Sequence, residues 1–210
     1  MAYPQNLSMN YSTPIKLSFD APPVNKREIL RYMGCPVSAC EMDGLLGRAL
    51  ALCKDQLRYD AVYATFNIVR DGDGTIDLGF ARVKSRDLSK CLEGCNSIIL
   101  MAATVGLEID RLIAKYGKIE PSLALCIQAL GAERIESLCD ALCDRLKDQF
   151  GALTPRFSAG YGDLALDVQK EIFLALDCPK NIGLTLNDSL LMSPTKSVTA
   201  IIGIKTRTEK

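Results

Sequence analysis

The sequence predicts an α+β fold in which a mixed or antiparallel sheet is covered by helices. Helical and strand patterns interleave irregularly along the chain, whereas a doubly wound parallel sheet would require regular alternation. The turn sequence DGDG at residues 71–74 lies between two strand-like stretches and is typical of a β-hairpin. The chain has 210 residues, of which 48% are hydrophobic and 24% charged, and can therefore bury a substantial core.

The first part of the chain contains a predicted edge strand and two predicted helices. The strand covers residues 15–19, within a polar arm interrupted by prolines. Asn25 is a suitable N-cap for a short helix, and Ser38 with Glu41 has the capping-box spacing for a longer one. In the longer helix, apolar side chains recur every three to four residues along one face: Met42, Leu45, Leu46, Ala49, Leu50, Cys53 and Leu57.

The stretches on either side of the DGDG turn, AVYATFNIV and TIDLGFARV, are predicted to be the two strands of a hairpin. A fragment of a calcium-binding loop is the alternative, but the downstream glutamate that such a loop requires is missing at the right position. The hairpin is therefore favoured. Asp87 then begins a short helix that is predicted to end at Gly94.

A buried strand, a helix and a long helix follow in that order. The strand covers residues 96–105, and the helix after it is predicted to close at Gly117. Pro121 stands where a first-turn proline belongs, and it opens a long helical pattern that stops at Gly151.

The last part of the chain begins with the loop PRFSAGYGD, residues 155–163. Asp163 is predicted to cap a helix that covers about residues 164–176. Two β-rich stretches, residues 182–187 and 197–206, follow on either side of a polar turn.

Composition limits the class of partner and the compartment. Lys plus Arg equals Asp plus Glu at 25 each, so we expect no nucleic-acid partner and no anionic membrane surface. The longest apolar stretch, residues 98–105, is far shorter than the roughly 18 to 20 residues that span a bilayer. The first twenty residues carry no secretory signal, and the nine cysteines are expected to be reduced, so we expect a cytoplasmic protein.

The absence of histidine excludes most common catalytic centres. Ser-His-Asp and Cys-His catalysis and histidine-based zinc sites cannot occur in this chain. The phosphate-binding loop of nucleoside triphosphatases and the glycine-rich dinucleotide motif are also missing. Three cysteine pairs lack the two-residue gaps typical of zinc and iron–sulfur sites, so we predict no metal site and interpret them as buried apolar side chains: Cys35 and Cys40, Cys91 and Cys95, Cys139 and Cys143.

The PRFSAGYGD loop carries more chemistry than a simple reversal of the chain needs. Arg156 has a planar donor fork suited to a carboxylate, and Tyr161 has a ring for stacking and a hydroxyl. Gly160 and Gly162 would let the backbone approach a ligand closely. The loop therefore suits a small zwitterion with an aromatic part. In the alternative interpretation, Arg156 pairs with Asp163 and Tyr161 packs as a lid.

The hexapeptide RFSAGY, which begins at Arg156, resembles the Arg-x-x-x-Gly-Tyr signature of the activation domain of cobalamin-dependent methionine synthase. The similarity continues through residues 183–203, which resemble that domain's Leu-Thr-Glu-Ser, Met-x-Pro and Ser-Val-Ser-Gly sequence. The long helix that carries Glu133 and Glu136 resembles the helix before the signature. The linked order of these segments, over about residues 121–204, is much more specific than the hexapeptide alone.

The resemblance implies that the chain has the fold of this activation domain in a stand-alone form. We divide it into an N-terminal arm at residues 1–24, a helical and hairpin region at residues 25–95 and an activation-domain-like region at residues 96–210. The last two regions are expected to form one compact domain.

The resemblance also implies that the loop binds S-adenosylmethionine. Arg156 is expected to bind the carboxylate of the methionine moiety, and Tyr161 to pack near the transferred methyl group. Glu136 is expected either to meet the α-ammonium group or to face the cobalamin domain, with a solvated helix glutamate as the alternative. Contacts through the backbone are expected from Ser158, Ala159 and Gly160. No catalytic side chain is expected, because cobalt is the nucleophile and the sulfonium is the leaving group.

The family's role in methionine biosynthesis is the reductive activation of methionine synthase, in which inactive cob(II)alamin becomes methylcobalamin. Because the cobalamin-binding Asp-x-His-x-x-Gly motif requires histidine, the vitamin B12 cofactor is expected on a partner, a cobalamin-binding methionine synthase or another corrinoid protein. A one-electron donor such as flavodoxin or ferredoxin is also implied. The alternatives are a non-catalytic S-adenosylmethionine sensor or scaffold, and a thiol-based redox protein with an exposed thiol of low pKa.

Overall fold

The computed structural model describes residues 12–34 and 42–206, which form nine strands and seven helices within these ranges. The strands are β1 (Ile15–Ser18), β2 (Asp60–Asn67), β3 (Val69–Arg70), β4 (Ile76–Asp77), β5 (Arg82–Val83), β6 (Cys95–Thr104), β7 (Thr185–Leu186), β8 (Met192–Ser193) and β9 (Ser197–Lys205). The helices are α1 (Lys26–Tyr32), α2 (Met42–Cys53), α3 (Arg86–Cys91), α4 (Glu108–Ile119), α5 (Pro121–Phe150), α6 (Val168–Leu176) and α7 (Cys178–Ile182). None of the helices in these ranges is both long and apolar enough to cross a membrane.

A four-stranded antiparallel sheet in the order β1-β2-β6-β9 forms the centre of the fold. The middle strands β2 and β6 are apolar on both faces, so both faces must be covered. Helices α1, α2, α4 and α5 cover one face, and α6 and α7 with the loop around α3 cover the other. The predicted α+β class, an antiparallel sheet covered by helices, is confirmed.

Along β9 the side chains alternate between the two cores. Ala200 and Ile202 pack on the α5 side, and Ile201 packs on the α6 side. The predicted long helix is confirmed as α5, with its proline in the first turn and Gly151 directly after its end. The predicted edge strand is confirmed as β1, and Asn25 caps α1 through its side-chain oxygen.

The Glu133–Arg134 pair on α5 anchors the segment that leads from β1 into α1. The two side chains are 2% and 3% exposed and lie 2.5 Å apart. Arg134 donates to the carbonyls of Pro22 at 2.6 Å and Pro23 at 2.9 Å, and the N–H of Asn25 donates to Glu133 at 3.0 Å. The segment therefore follows α5 closely.

The predicted hairpin is only partly present. The DGDG turn joins the short strands β3 and β4, but β2 pairs with β1 and β6 rather than with the stretch after the turn. The physical reason is burial: β2 is apolar on both faces and its stable position is the middle of a covered sheet.

Several predicted helix ends were wrong. The helix predicted to close at Gly117 continues to Ile119, where Glu120 and Pro121 separate α4 from α5. The short helix after the hairpin begins one residue earlier than predicted and is capped by Ser85. The predicted capping box of Ser38 and Glu41 lies outside the described residues.

Candidate functional site

The loop that carries RFSAGY extends the main sheet at the edge of β9. Leu153 pairs with Ile204, and Phe157 pairs with Ile201 through two backbone hydrogen bonds of 2.9 and 2.8 Å. This pairing turns the Phe157 side chain into the core on the α6 side. Arg156 points the other way and reaches α5.

Arg156 lies between two carboxylates of α5. Its Nη2 atom donates to Oε2 of Glu136 at 2.7 Å and to Oδ1 of Asp140 at 3.4 Å. The two acidic residues are one helical turn apart on the same face, where their like charges would otherwise repel. The alternative pairing of Arg156 with Asp163 was wrong, because Asp163 is engaged elsewhere.

Asp163 contributes, together with the N-cap Ser85, to the cap of α3 and not to that of the helix that follows it in sequence. Its carboxylate accepts hydrogen bonds from the Ser85 hydroxyl and from the N–H groups of Arg86 at 2.9 Å and Asp87 at 3.2 Å. These bonds, with the Ser85 hydroxyl first, lower the pKa of Asp163 below its usual range. The helix α6 begins only at Val168, so the predicted start near residue 164 was also wrong.

The Gly162 backbone is close to α3. Its φ angle is +55°, and a Cβ atom at this position would lie 2.5 Å from Oδ2 of Asp87 and 3.1 Å from its Cβ. Gly162 is therefore required for packing within the protein. Gly160 has a φ angle of +83° and packs against Leu166.

Tyr161 does not act as a packed lid, because 69% of the residue is exposed. The Tyr161 and Phe157 rings form an edge-to-face pair with a centroid distance of 5.5 Å and an interplanar angle of 85°. This contact orients Tyr161 while most of its surface stays open to a ligand or partner.

Ser158 and Ala159 line a cavity of about 430 Å³ at the start of β9. The Ser158 hydroxyl donates to the carbonyl of Thr199 at 2.7 Å, and the Thr199 hydroxyl donates to Gln169 at 2.9 Å. Other walls come from the segment before β9, including Leu190, Leu191, Met192 and Thr195. The cavity thus joins two of the segments that carry the sequence resemblance, residues 156–161 and 183–203.

A larger cavity of about 790 Å³ lies between β1, the end of α2 and residues 54–60, and it contains none of the predicted site residues. Its buried cation, Arg134, is occupied by Glu133 and two backbone carbonyls. Size alone does not identify a site, so the smaller cavity beside the RFSAGY loop is the better candidate.

The thiols near Arg156 are poor nucleophiles. Burial raises the pKa of Cys139 to about 12 and also raises the pKa of Cys143, although Arg156 acts in the opposite direction. Burial likewise raises the pKa of Cys53 to about 11 and that of Cys178 to about 12. These pKa values argue against a thiol-based redox role for these four residues.

The sequence predicted Arg156, Glu136 and Ser158 as site residues but did not single out Asp140, which contacts Arg156, or Gln169, which lines the cavity. Asp140 could have been found, because it lies four residues after Glu136 on the same helical face. Gln169 carries no comparable signal, since its contact with β9 depends on the tertiary packing of α6.

No protein-family model and no curated protein matches this chain. Among solved structures, the chain is similar to the MetH reactivation domain bound to AdoHcy, with a TM-score of 0.67 and 16% sequence identity. The similarity covers 96% of this chain and 81% of that chain. At this level of identity it establishes the fold, and the resemblance stated from the sequence is confirmed at that level. The chain has the fold of the MetH reactivation domain.

Proposed function

We propose that this protein binds S-adenosylmethionine at the RFSAGY loop and supports the reductive methylation of cob(II)alamin on a separate corrinoid protein. The observation that carries this proposal is the position of the motif. In a fold shared with a domain that binds AdoHcy, the motif lies beside a ligand-sized cavity. Cavities of roughly 300 to 1,000 Å³ are typical for small ligands, and this cavity is about 430 Å³.

The charges and polar groups around the loop fit the parts of S-adenosylmethionine. Arg156, which reaches α5 and does not line the cavity, is suited to the carboxylate of an amino-acid head that extends out of it, with the acidic residues of α5 beside it for the ammonium group. The polar side chains at the cavity include Ser158 and Thr199, whose hydroxyl groups donate within the protein, and Gln169, whose amide N–H groups are not used in these two hydrogen bonds. The exposed ring of Tyr161 can pack on the ligand.

The chemistry requires little from the side chains of this protein. One electron from a donor such as flavodoxin or ferredoxin reduces cob(II)alamin to cob(I)alamin, which takes the methyl group from the sulfonium and leaves S-adenosylhomocysteine. The protein must hold the methyl group in line with the cobalt and exclude water, so binding and orientation account for its role. The cobalamin substrate would arrive on a methionine synthase or another corrinoid protein.

Calorimetric titration of S-adenosylmethionine into wild type and Arg156→Ala tests the binding site, with and without a cobalamin-loaded partner. Loss of a charge-assisted contact should weaken binding by about 1.5 to 3 kcal/mol, roughly ten- to hundredfold. Arg145→Ala, which removes the same charge from an exposed position of α5, is the matched control and should bind normally. Absence of binding by the wild type with the partner present would refute the proposal.

A second candidate function, an S-adenosylmethionine sensor or scaffold, is favoured by one observation. Arg156 is already paired with Glu136 and Asp140, which is compatible with a structural role for the loop. The fate of the ligand separates the two functions. A reactivation protein mixed with reductant and cob(II)alamin-loaded partner yields S-adenosylhomocysteine by mass spectrometry, whereas a sensor returns its ligand intact.

A further inference from the structure

Asp140 is the member of the Arg156 cluster, which comprises Arg156, Glu136 and Asp140, that neither the motif nor the resemblance assigns. We infer that Asp140 binds the α-ammonium group of the ligand, while Glu136 holds the Arg156 guanidinium in position for the ligand carboxylate. This inference rests on the proposed function, and it assigns to Asp140 the ammonium contact that the sequence suggested for Glu136.

The distances distinguish the two carboxylates. Glu136 accepts from Nη2 of Arg156 at 2.7 Å, a full charge-assisted hydrogen bond, whereas Asp140 lies at 3.4 Å, near the limit for any hydrogen bond. The exposed fractions of the side chains agree, at 45% for Glu136 and 74% for Asp140. Asp140 can therefore leave Arg156 and accept a ligand cation at little cost, while Glu136 stays paired.

The geometry of an amino-acid head requires such an arrangement. Its carboxylate and ammonium groups are attached to one carbon, so a carboxylate bound to Arg156 brings the ammonium group close to a like-charged guanidinium. An acidic group beside Arg156 offsets this repulsion, and Asp140 lies one helical turn from Glu136 on the same face.

The net charge of the cluster also fits the ligand. One guanidinium between two carboxylates carries a net charge of minus one. S-Adenosylmethionine carries a net charge of plus one, from its sulfonium, ammonium and carboxylate groups. The cluster therefore favours this cation over simple carboxylates, which would add a second unbalanced negative charge.

Calorimetry with two probes, S-adenosylhomocysteine and its analogue without the amino group, tests the role of Asp140. Asp140→Asn should weaken the amino-bearing probe about three- to tenfold. The same change should not weaken the deamino probe, whose carboxylate no longer meets the Asp140 charge and can bind more tightly. Asp144→Asn is the matched control, because Asp144 lies one turn further along α5, is 73% exposed and pairs with Lys147 at 2.9 Å. Glu136→Gln should weaken both probes, because the guanidinium loses its positioning partner.

Each alternative result is informative. If Asp140→Asn behaves like Asp144→Asn, or weakens both probes equally, the assignment of Asp140 is wrong. If instead Glu136→Gln binds the amino-bearing and deamino probes with equal affinity, Glu136 is the ammonium ligand and the inference is again overturned. If the wild-type protein binds neither probe nor S-adenosylmethionine, the proposed function itself fails.

Discussion

Replacement of Arg134 by Met removes the cation from the buried pair that anchors the N-terminal segment to α5. In the wild type, Arg134 contacts Glu133 at 2.5 Å and donates to the carbonyls of Pro22 and Pro23 at 2.6 and 2.9 Å. The Arg134 and Glu133 side chains are 3% and 2% exposed, so the remaining carboxylate cannot be fully hydrated in the folded state. Folding of the variant must bury an uncompensated charge.

The loss of one partner from a buried pair costs about 3 to 5 kcal/mol. Glu133 keeps two donors, the N–H of Asn25 at 3.0 Å and the hydroxyl of Ser137 at 2.8 Å, so we expect a value near the lower end. For a chain of this length, about 3 kcal/mol corresponds to a fall in Tm of roughly 6 to 12 °C. Differential scanning calorimetry and urea denaturation both measure this change.

Two further variants show whether the charge is the cause. Glu133→Leu combined with Arg134→Met should lose less stability than Arg134→Met alone, because the backbone groups released at residues 22–25 can reach water. Arg111→Ala, which breaks an exposed pair with Glu108, should cost at most about 1 kcal/mol. The reasoning would be refuted if Arg134→Met lowered the free energy of unfolding by less than about 1 kcal/mol. It would also be refuted if the double variant lost more stability than Arg134→Met alone.

Three other predictions follow from the loop and the thiols. Gly162→Ala should lower Tm and weaken ligand binding, because alanine costs about 1 to 2 kcal/mol at a left-handed φ and its Cβ meets Asp87; unchanged values would contradict the close contact with α3. Asp163→Asn should destabilise the protein at neutral pH. The pKa of Asp163 is lower in the folded state than in the unfolded state. The difference in unfolding free energy between wild type and Asp163→Asn, measured by denaturation, should therefore disappear as the pH falls through the folded-state pKa. Cys53 and Cys139 should resist iodoacetamide at pH 8 in the native state, since burial raises their pKa values to about 11 and 12; rapid labelling by mass spectrometry would disprove this.

The elements with strong periodicity were predictable from the sequence. The strands β6 and β9 are long apolar stretches, and α5 is marked by Pro121 at its start and Gly151 after its end. The DGDG turn was also located correctly, because turn chemistry is local. The partners of β2 could not be read in the same way, because they depend on which strand is buried on both faces of the finished sheet.

The same limit explains the error at Asp163. An aspartate before an apolar stretch predicts a cap for the next helix, but the N–H groups that it binds are those of Arg86 and Asp87, far upstream in the sequence. A carboxylate caps the helix end that the fold brings nearest, and periodicity does not encode that neighbour.

In the proposed site, the Arg156 cluster would determine which ligands the loop can select. An unpaired guanidinium would bind almost any small carboxylate, but a carboxylate approaching Arg156 here also meets Glu136 and Asp140. A ligand overcomes this repulsion only if it brings a cation of its own to α5, and an amino-acid head does so. The pairing of Arg156 with Glu136 and Asp140 is compatible with a structural role for the loop. The same pairing would also make the site selective, because it disfavours simple anions and favours zwitterions. Competition by acetate or succinate at millimolar concentration should accordingly fail to displace S-adenosylmethionine, and effective displacement would show that Glu136 and Asp140 do not restrict access to Arg156.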